Sequence, residues 1–364
     1  MNRAPRLVTR LVKVGNQVLG HGSPVLVQSM TNTPTEDAGR TLAQIRRLAA
    51  AGCELVRVAV PTKAAAAALS RIVTRSPLPV IADIHFDHEL ALAAIAASAA
   101  KVRINPGNLG LERSLLVARA AAKAKVAVRI GVNAGSLPER WRQGAATPAA
   151  LGRLMAKTAV RYALALEKAG LRQIVLSVKA SDILASLAAY RQLAATTRWP
   201  LHLGITEAGG ELAGSIKTAA GLAPLLVEGI GDTLRVSLTA DPVREIRAAN
   251  LILAATGVRQ RGPDIIACPT CGRTAGDLFG ILKKVEQALL DEPRPLTVAV
   301  MGCVVNGPGE ARHADAGLAG AQDGSFILFA QGKPLRRVSA AQAVPALLAE
   351  LKKIRTSGPG RGTH

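Results

Sequence analysis

The chain has 364 residues, 49% hydrophobic and 20% charged, with a formal net charge of +21; this balance describes a globular protein with a large buried core, expected in two domains. No run reaches the ~18 apolar residues of a membrane-spanning helix, and the basic stretch 1–16 lacks the apolar core and cleavage site of a secretion signal. Such a charge invites nucleic acid as a partner, but the cations are spread along the whole chain and only 2% of residues are aromatic, too few to stack on bases.

From the start to about residue 255, short β-branched runs alternate with longer Ala- and Leu-rich helical stretches. The predicted strands are Pro24–Gln28, Glu54–Val60, Pro79–Asp83, Lys101–Asn105, Val126–Gly131, Gln173–Val178, Leu201–Thr206 and Thr233–Leu238. Between them lie helical segments such as Asp37–Ala51, Lys63–Thr74, Pro148–Ala169 and Asp182–Thr196. Eight such units over roughly 250 residues predict an N-terminal (β/α)8 TIM barrel within an α/β fold class. A doubly wound open sheet is the runner-up, and no Gly-x-Gly-x-x-Gly turn follows the first strand to support it.

A barrel carries its functional face at the C-terminal ends of its strands. Those ends offer Gln28 and Ser29, Arg57, Asp83 and His85, Arg103 and Asn105, and Arg129 with Asn133. Ser177 and Lys179, Thr206 and Glu207, and Arg235 and Ser237 follow. Arg57, Arg103, Arg129 and Arg235 each interrupt an apolar strand, where an unpaired cation costs several kcal/mol, roughly, in lost hydration. Asp83 or Glu207 can pair with one of them. The remaining excess of cations at one mouth calls for a polyanion, most simply a phosphate or diphosphate. The plainer reading has each Arg facing outward between helices.

Gly257–Pro263 has the Gly, Pro and charge of an exposed linker, which divides the chain into 1–258 and 259–364. The second part reads as a smaller α/β domain: a helix over Thr274–Leu290, strands Leu296–Met301 and Phe326–Phe329, a helix over Pro345–Ile354 and a basic tail, Arg355–His364. Three of the four cysteines fall here, as Cys268-Pro-Thr-Cys271 and Met301-Gly-Cys303. Zinc, a redox dithiol and an iron–sulfur cluster all suit a Cys-x-x-Cys pair. Zinc could take His313 as a fourth ligand, and the dithiol leaves Cys303 without a role. Cys53 reads as a buried, inert thiol. So few cysteines fit a reducing, cytoplasmic setting.

Cys268-Pro-Thr-Cys-Gly-Arg273 followed by Met301-Gly-Cys-Val-Val-Asn-Gly-Pro-Gly-Glu310 resembles the 4-hydroxy-3-methylbut-2-enyl diphosphate synthases of the non-mevalonate isoprenoid pathway. The resemblance runs through Val27–Thr33, Arg103–Asn108, Arg129–Asn133, Ser177–Ser181, Leu203–Gly209 and Gly231–Ser237, nearly the whole chain. It implies a [4Fe-4S] cluster on Cys268, Cys271, Cys303 and Glu310, and reductive ring opening of 2-C-methyl-D-erythritol 2,4-cyclodiphosphate. It further implies that Arg57, Arg103, Arg129 and Lys179 grip the diphosphate, with Asp83, Asn133, Ser237 and Asn306 in support. Glu207 is then the first candidate for the proton donor and His85 the second. Expected partners are flavodoxin or ferredoxin as electron donor and a second copy of the chain in a homodimer, the cluster domain of one subunit covering the barrel mouth of the other. The competing class is a zinc-stabilised, basic nucleic-acid-binding protein.

Overall fold

A computed structural model describes residues 5–290, 292–303 and 311–354. The chain divides into two compact units, Met1–Arg259 and Gln260–His364. No helix among the described residues is long and apolar enough to cross a membrane.

The first unit opens with a hairpin, β1 (Val12–Val14) and β2 (Gln17–Leu19). Eight parallel strands follow: β3 (Leu26–Met30), β4 (Leu55–Ala59), β5 (Val80–Asp83), β6 (Lys101–Ile104), β7 (Ala127–Asn133), β8 (Ile174–Lys179), β9 (His202–Leu203) and β10 (Thr233–Leu234). They run in the order β8-β7-β6-β5-β4-β3-β10-β9, and a parallel bridge between Leu176 and Leu201 joins the two ends. The result is the predicted TIM barrel. The last two strands are much shorter than the predicted Leu201–Thr206 and Thr233–Leu238, because the chain leaves the ladder there to form loops at the barrel mouth.

Helices pack outside the strands, and their starts are written in the sequence. Asp37, Thr62, Thr147 and Asp182 each accept a hydrogen bond from a backbone N–H of the helix that follows, for α1 (Ala38–Ala50), α2 (Lys63–Arg75), α7 (Pro148–Lys168) and α8 (Ile183–Thr196). Such a cap contributes about 1 kcal/mol per helix. Between α2 and α7 come α3 (His88–Ala96), α4 (Pro106–Leu109), α5 (Leu111–Ala124) and α6 (Glu139–Gln143). The barrel is completed by α9 (Glu211–Val227) and α10 (Pro242–Ala255). Outward-facing Val56, Val58, Val102, Ile104, Val128 and Ile130 meet the helices in the main core. Cys53 is among them and fully enclosed, and burial raises its thiol pKa to about 12.

The inward-facing residues stack in layers contributed by alternate strands. At the N-terminal end, Val12, Val14 and Leu19 of the hairpin pack on Leu26, Leu55, Ile81, Ala127 and Val175. The registers place Leu55, Lys101, Val175 and Thr233 in one layer, then Gln28, Ile81, Arg129 and His202, then Arg57, Arg103, Ser177 and Arg235. Polar side chains thus enter the interior from the first of these layers, at Lys101 and Thr233, and arginines dominate the third.

The second unit is a five-stranded mixed sheet, β11 (Asp264–Ala267), β12 (Thr297–Met301), β13 (Ala316–Gly320), β14 (Phe326–Ala330) and β15 (Lys333–Val338), in sequential order. Helices α11 (Leu278–Ala288) and α12 (Ala340–Lys353) pack on it through Ile281, Val285, Leu347 and Leu351. The last helix begins five residues before Pro345, earlier than predicted: Pro345 lies inside it and forfeits one intrahelical hydrogen bond, to the Ala341 carbonyl, while the helix is held by its packing on the sheet.

Candidate active site

At the C-terminal ends of the barrel strands a pocket is lined by eight of the predicted residues: Arg57, Asp83, His85, Arg103, Arg129, Asn133, Lys179 and Ser237. Gly131, Ser177, Ile205, Thr206 and Arg235 complete its wall. Each arginine sits at an inward position of its strand, so the outward reading is wrong for all four. Two glycines make the room. A Cβ on Gly131 would lie 2.8 Å from Arg103 Nε, and one on Gly204 would lie 2.7 Å from Lys179 Nζ.

Asp83 is the hub of the charge pattern. Its carboxylate is 3.6 Å from Arg57 and 3.2 Å from Arg103, and 3.5 Å from His85 Nε2. Arg103 Nη1 also approaches His85 Nε2 at 2.6 Å. Burial would raise the Asp83 carboxyl pKa, but Arg57, His85 and Arg103 outweigh it and hold the group well below the ordinary carboxylate range. Burial lowers Arg57 to about 10, against the pull of Asp83. Next to Arg57, with Met30 Sδ between them, Arg235 forks onto Glu245 at 2.9 and 3.2 Å, and Ser29 Oγ donates to the same carboxylate at 3.0 Å. Glu245 lies on α10, seven residues beyond the predicted end of the last strand. Its burial at 3% exposure was not legible from local pattern.

Arg129 and Lys179 have no carboxylate partner among the described residues. Arg129 is 1% exposed, and its Nε and Nη1 have no hydrogen-bond partner among the described residues. Burial first, then Arg57 and Arg103, press its proton affinity down; a guanidinium keeps its proton all the same. Lys179 is lowered in the same way by burial and by Arg129, Arg57, Arg235 and Arg103. An anion between these cations relieves both, and bidentate guanidinium contacts suit phosphoryl oxygens best.

Glu207 stands apart. It follows the pocket-lining Thr206 in an exposed loop, with φ of 55°, and is not in the pocket wall. Asn306 and Glu310 lie outside the described residues.

In the second unit the four-residue Cys268–Cys271 turn meets the turn carrying Cys303. Gly302 N–H donates to Cys268 Sγ at 3.0 Å, and Thr274 Oγ1 accepts from Cys271 N–H at 2.9 Å. All three thiols are free, Cys303 buried and Cys271 exposed. Hydrogen bonds from the backbone and side chain of Arg273 lower the Cys271 thiol pKa. Among the described residues the three do not yet converge as a closed ligand set. Free thiols on adjoining turns, one already accepting an amide N–H, match the donor chemistry of an iron–sulfur site. His313 Nε2 accepts from Arg312 Nε at 3.1 Å, and no metal-holding group that includes it is found among the described residues.

The GcpE TIM-barrel domain model matches residues 9–250, and the GcpE protein C-terminal domain model matches residues 264–353. A 4-hydroxy-3-methylbut-2-en-1-yl diphosphate synthase (flavodoxin) of Desulfotalea psychrophila is 49% identical over 351 residues, covering 96% of each chain. Its namesake from Geobacter sulfurreducens is 51% identical, covering 95% of this chain and 98% of the relative. Among solved structures, dihydropteroate synthase of Stenotrophomonas maltophilia overlays 69% of this chain and all of that one, with a TM-score of 0.50 at 18% identity; this likeness concerns the barrel fold alone. With both domain models matched in order and relatives near half-identical from end to end, the chain belongs to the GcpE family.

Proposed function

We propose that the chain catalyses the two-electron reductive ring opening of 2-C-methyl-D-erythritol 2,4-cyclodiphosphate to (E)-4-hydroxy-3-methylbut-2-enyl diphosphate, the step in isoprenoid biosynthesis for whose product its relatives are named. The observation that carries this reading is the barrel-mouth pocket, where Arg129 and Lys179 stand without a carboxylate beside Arg57 and Arg103, which share Asp83. A cyclic diphosphate supplies the missing negative charge. Arg57, Arg103, Arg129 and Lys179 hold its phosphoryl oxygens, and Asn133 and Ser237 offer further polar contacts at the rim. Asp83 keeps Arg57 and Arg103 pointed inward.

Cys268, Cys271, Cys303 and Glu310 would hold a [4Fe-4S] cluster. When bound, it supplies electrons one at a time and an iron able to act as a Lewis acid on a substrate oxygen. Two electrons enter, the ring carbon–oxygen bond to the diphosphate breaks, and a hydroxyl leaves as water once protonated. Glu207, adjoining Thr206 of the pocket wall, is the first candidate for that proton and His85 the second. The electrons come from a flavodoxin, the donor named for the relatives, with ferredoxin as the substitute. The working unit in this reading is a homodimer. Family membership removes the support for a zinc-stabilised nucleic-acid-binding role.

Anaerobic purification tests the cluster: about four irons and four sulfides per chain are expected, and stoichiometric zinc in their place would overturn it. Turnover of the cyclodiphosphate with an artificial reductant tests the reaction. Glu310→Ala is expected to abolish turnover while leaving the barrel folded.

A further inference from the structure

Beneath the pocket the barrel interior is polar where such interiors are ordinarily packed with Val, Ile and Leu. Gln28, Arg129 and His202 share one layer, and Lys101 lies in the layer below, diagonal to Arg129 across the β6–β7 pair. All four are at most 1% exposed. Lys101 Nζ, both amide atoms of Gln28, Nε and Nη1 of Arg129 and Nε2 of His202 have no partner among the described residues. Buried polar groups are almost always satisfied, and since these six atoms make no direct hydrogen bond to one another among the described residues, whatever satisfies them must lie between them.

The donor and acceptor inventory shows how. The unpartnered Arg129 nitrogens carry three N–H bonds and accept nothing. His202 Nδ1 is 2.8 Å from Thr233 Oγ1, which can take the ring proton's hydrogen bond and leave Nε2 as an acceptor. Gln28 Oε1 is a second acceptor. A lysine amine becomes a third only when unprotonated.

We propose that Lys101, together with Gln28 and His202, is a positioning residue that forms the acceptor bed on which the Arg129 guanidinium stands, facing the anion pocket. Buried waters of the kind that commonly satisfy such groups bridge the gaps. In this role the Lys101 amine is neutral. Burial, Arg129 and Arg57 all lower its proton affinity, and His202 is pressed the same way by burial, Arg129, Lys179, Lys101 and Arg57. The one carboxylate of the inner layers, Asp83, is taken by Arg57 and Arg103 above. Lys101 is therefore a hydrogen-bonding group rather than a further cation for the substrate.

The inference rests on Arg129 as an anion ligand, and a substitution series separates the two. Binding of inorganic diphosphate to the full chain, purified anaerobically, is measured by calorimetry. Lys101→Gln, neutral and able to accept, is expected to bind within about threefold of wild type, whereas Lys101→Arg, an obligate cation with donors only, is expected to lose about tenfold or more. The reverse order would show that charge is what matters and overturn the proposal; so would equal retention or equal loss in both folded variants. If the Lys101 variants do not fold, Gln28→Met decides, with a comparable loss expected and unchanged affinity counting against the bed. Arg129→Ala is the control. Unchanged affinity there defeats the anion-site reading itself, whereas a loss there with the wrong Lys101 pattern defeats only this inference.

Discussion

Asp83→Asn probes the charge balance of the pocket from both sides. The substitution keeps the shape of the side chain but removes the negative charge shared by Arg57 at 3.6 Å and Arg103 at 3.2 Å, all within groups no more than 12% exposed. Removing one partner of a buried ion pair costs about 3–5 kcal/mol, because the other charge is left uncompensated. At 2–4 °C per kcal/mol for a unit this size, the barrel should melt roughly 6–20 °C lower. The same loss makes the pocket more hungry for an anion. Inorganic diphosphate at a hundred times its dissociation constant stabilises a one-site protein by about 2.7 kcal/mol, and the variant, binding more tightly, should gain more than the wild type at equal ligand concentration. The assay is thermal unfolding with and without diphosphate, followed by a probe of the barrel. Equal melting temperatures without ligand, or a smaller ligand-induced rise in the variant, would refute the idea that Asp83 and the substrate diphosphate compete to neutralise the same arginines.

Three further outcomes follow from the same geometry. Arg129→Ala should weaken diphosphate binding by about 10- to 100-fold, as hydrogen bonds to a charged group do, and calorimetry giving an unchanged affinity would contradict it. Gly131→Ala places a methyl group 2.8 Å from Arg103 Nε, so Arg103 must shift; we expect a raised KM for the cyclodiphosphate with iron content unchanged, and an unaltered KM would count against the close fit. His202 has its pKa lowered by burial and surrounding cations. Its unfolded form gains a proton below about pH 6.5 while the folded form does not, so stability should fall with pH from there downward, by at most about 1.4 kcal/mol per pH unit. Denaturant unfolding of His202→Asn should show a shallower fall between pH 7 and 5; an identical slope would assign the effect elsewhere.

Much of the barrel was legible because its signals are local. Strand and helix periods alternate, Asp and Thr caps announce the helices, and arginines in apolar strands betray an inward polar face. The chain closes on itself through contacts that no local window contains, and what depends on closure was missed. Glu245 reads as an ordinary helical charge until β10 brings Arg235 to it. Lys101 reads as a solvated residue at the start of a strand, yet shear around the barrel sets it in the sealed interior. The hairpin at Val12–Leu19 did carry a signal, an alternating pattern around Gly15-Asn16, and its basic surroundings concealed it. The cysteine motif was visible for the opposite reason: three of four thiols in two short turns is a pattern of composition that needs no fold to be seen. A carboxylate such as Glu310 has no such rarity, and only the family resemblance singled it out.

The hairpin that packs Val12, Val14 and Leu19 against the barrel floor has a kinetic consequence. It completes the packing of the barrel's N-terminal end, so the filled interior offers a ligand one face only, at the strand C-termini. A reactant that enters at the strand C-termini cannot be followed by another until the product has left by the same route, so traffic through the site is strictly in turn. The diphosphate product, keeping the charge by which the reactant was held, should therefore inhibit competitively, and its departure can set the pace of the cycle.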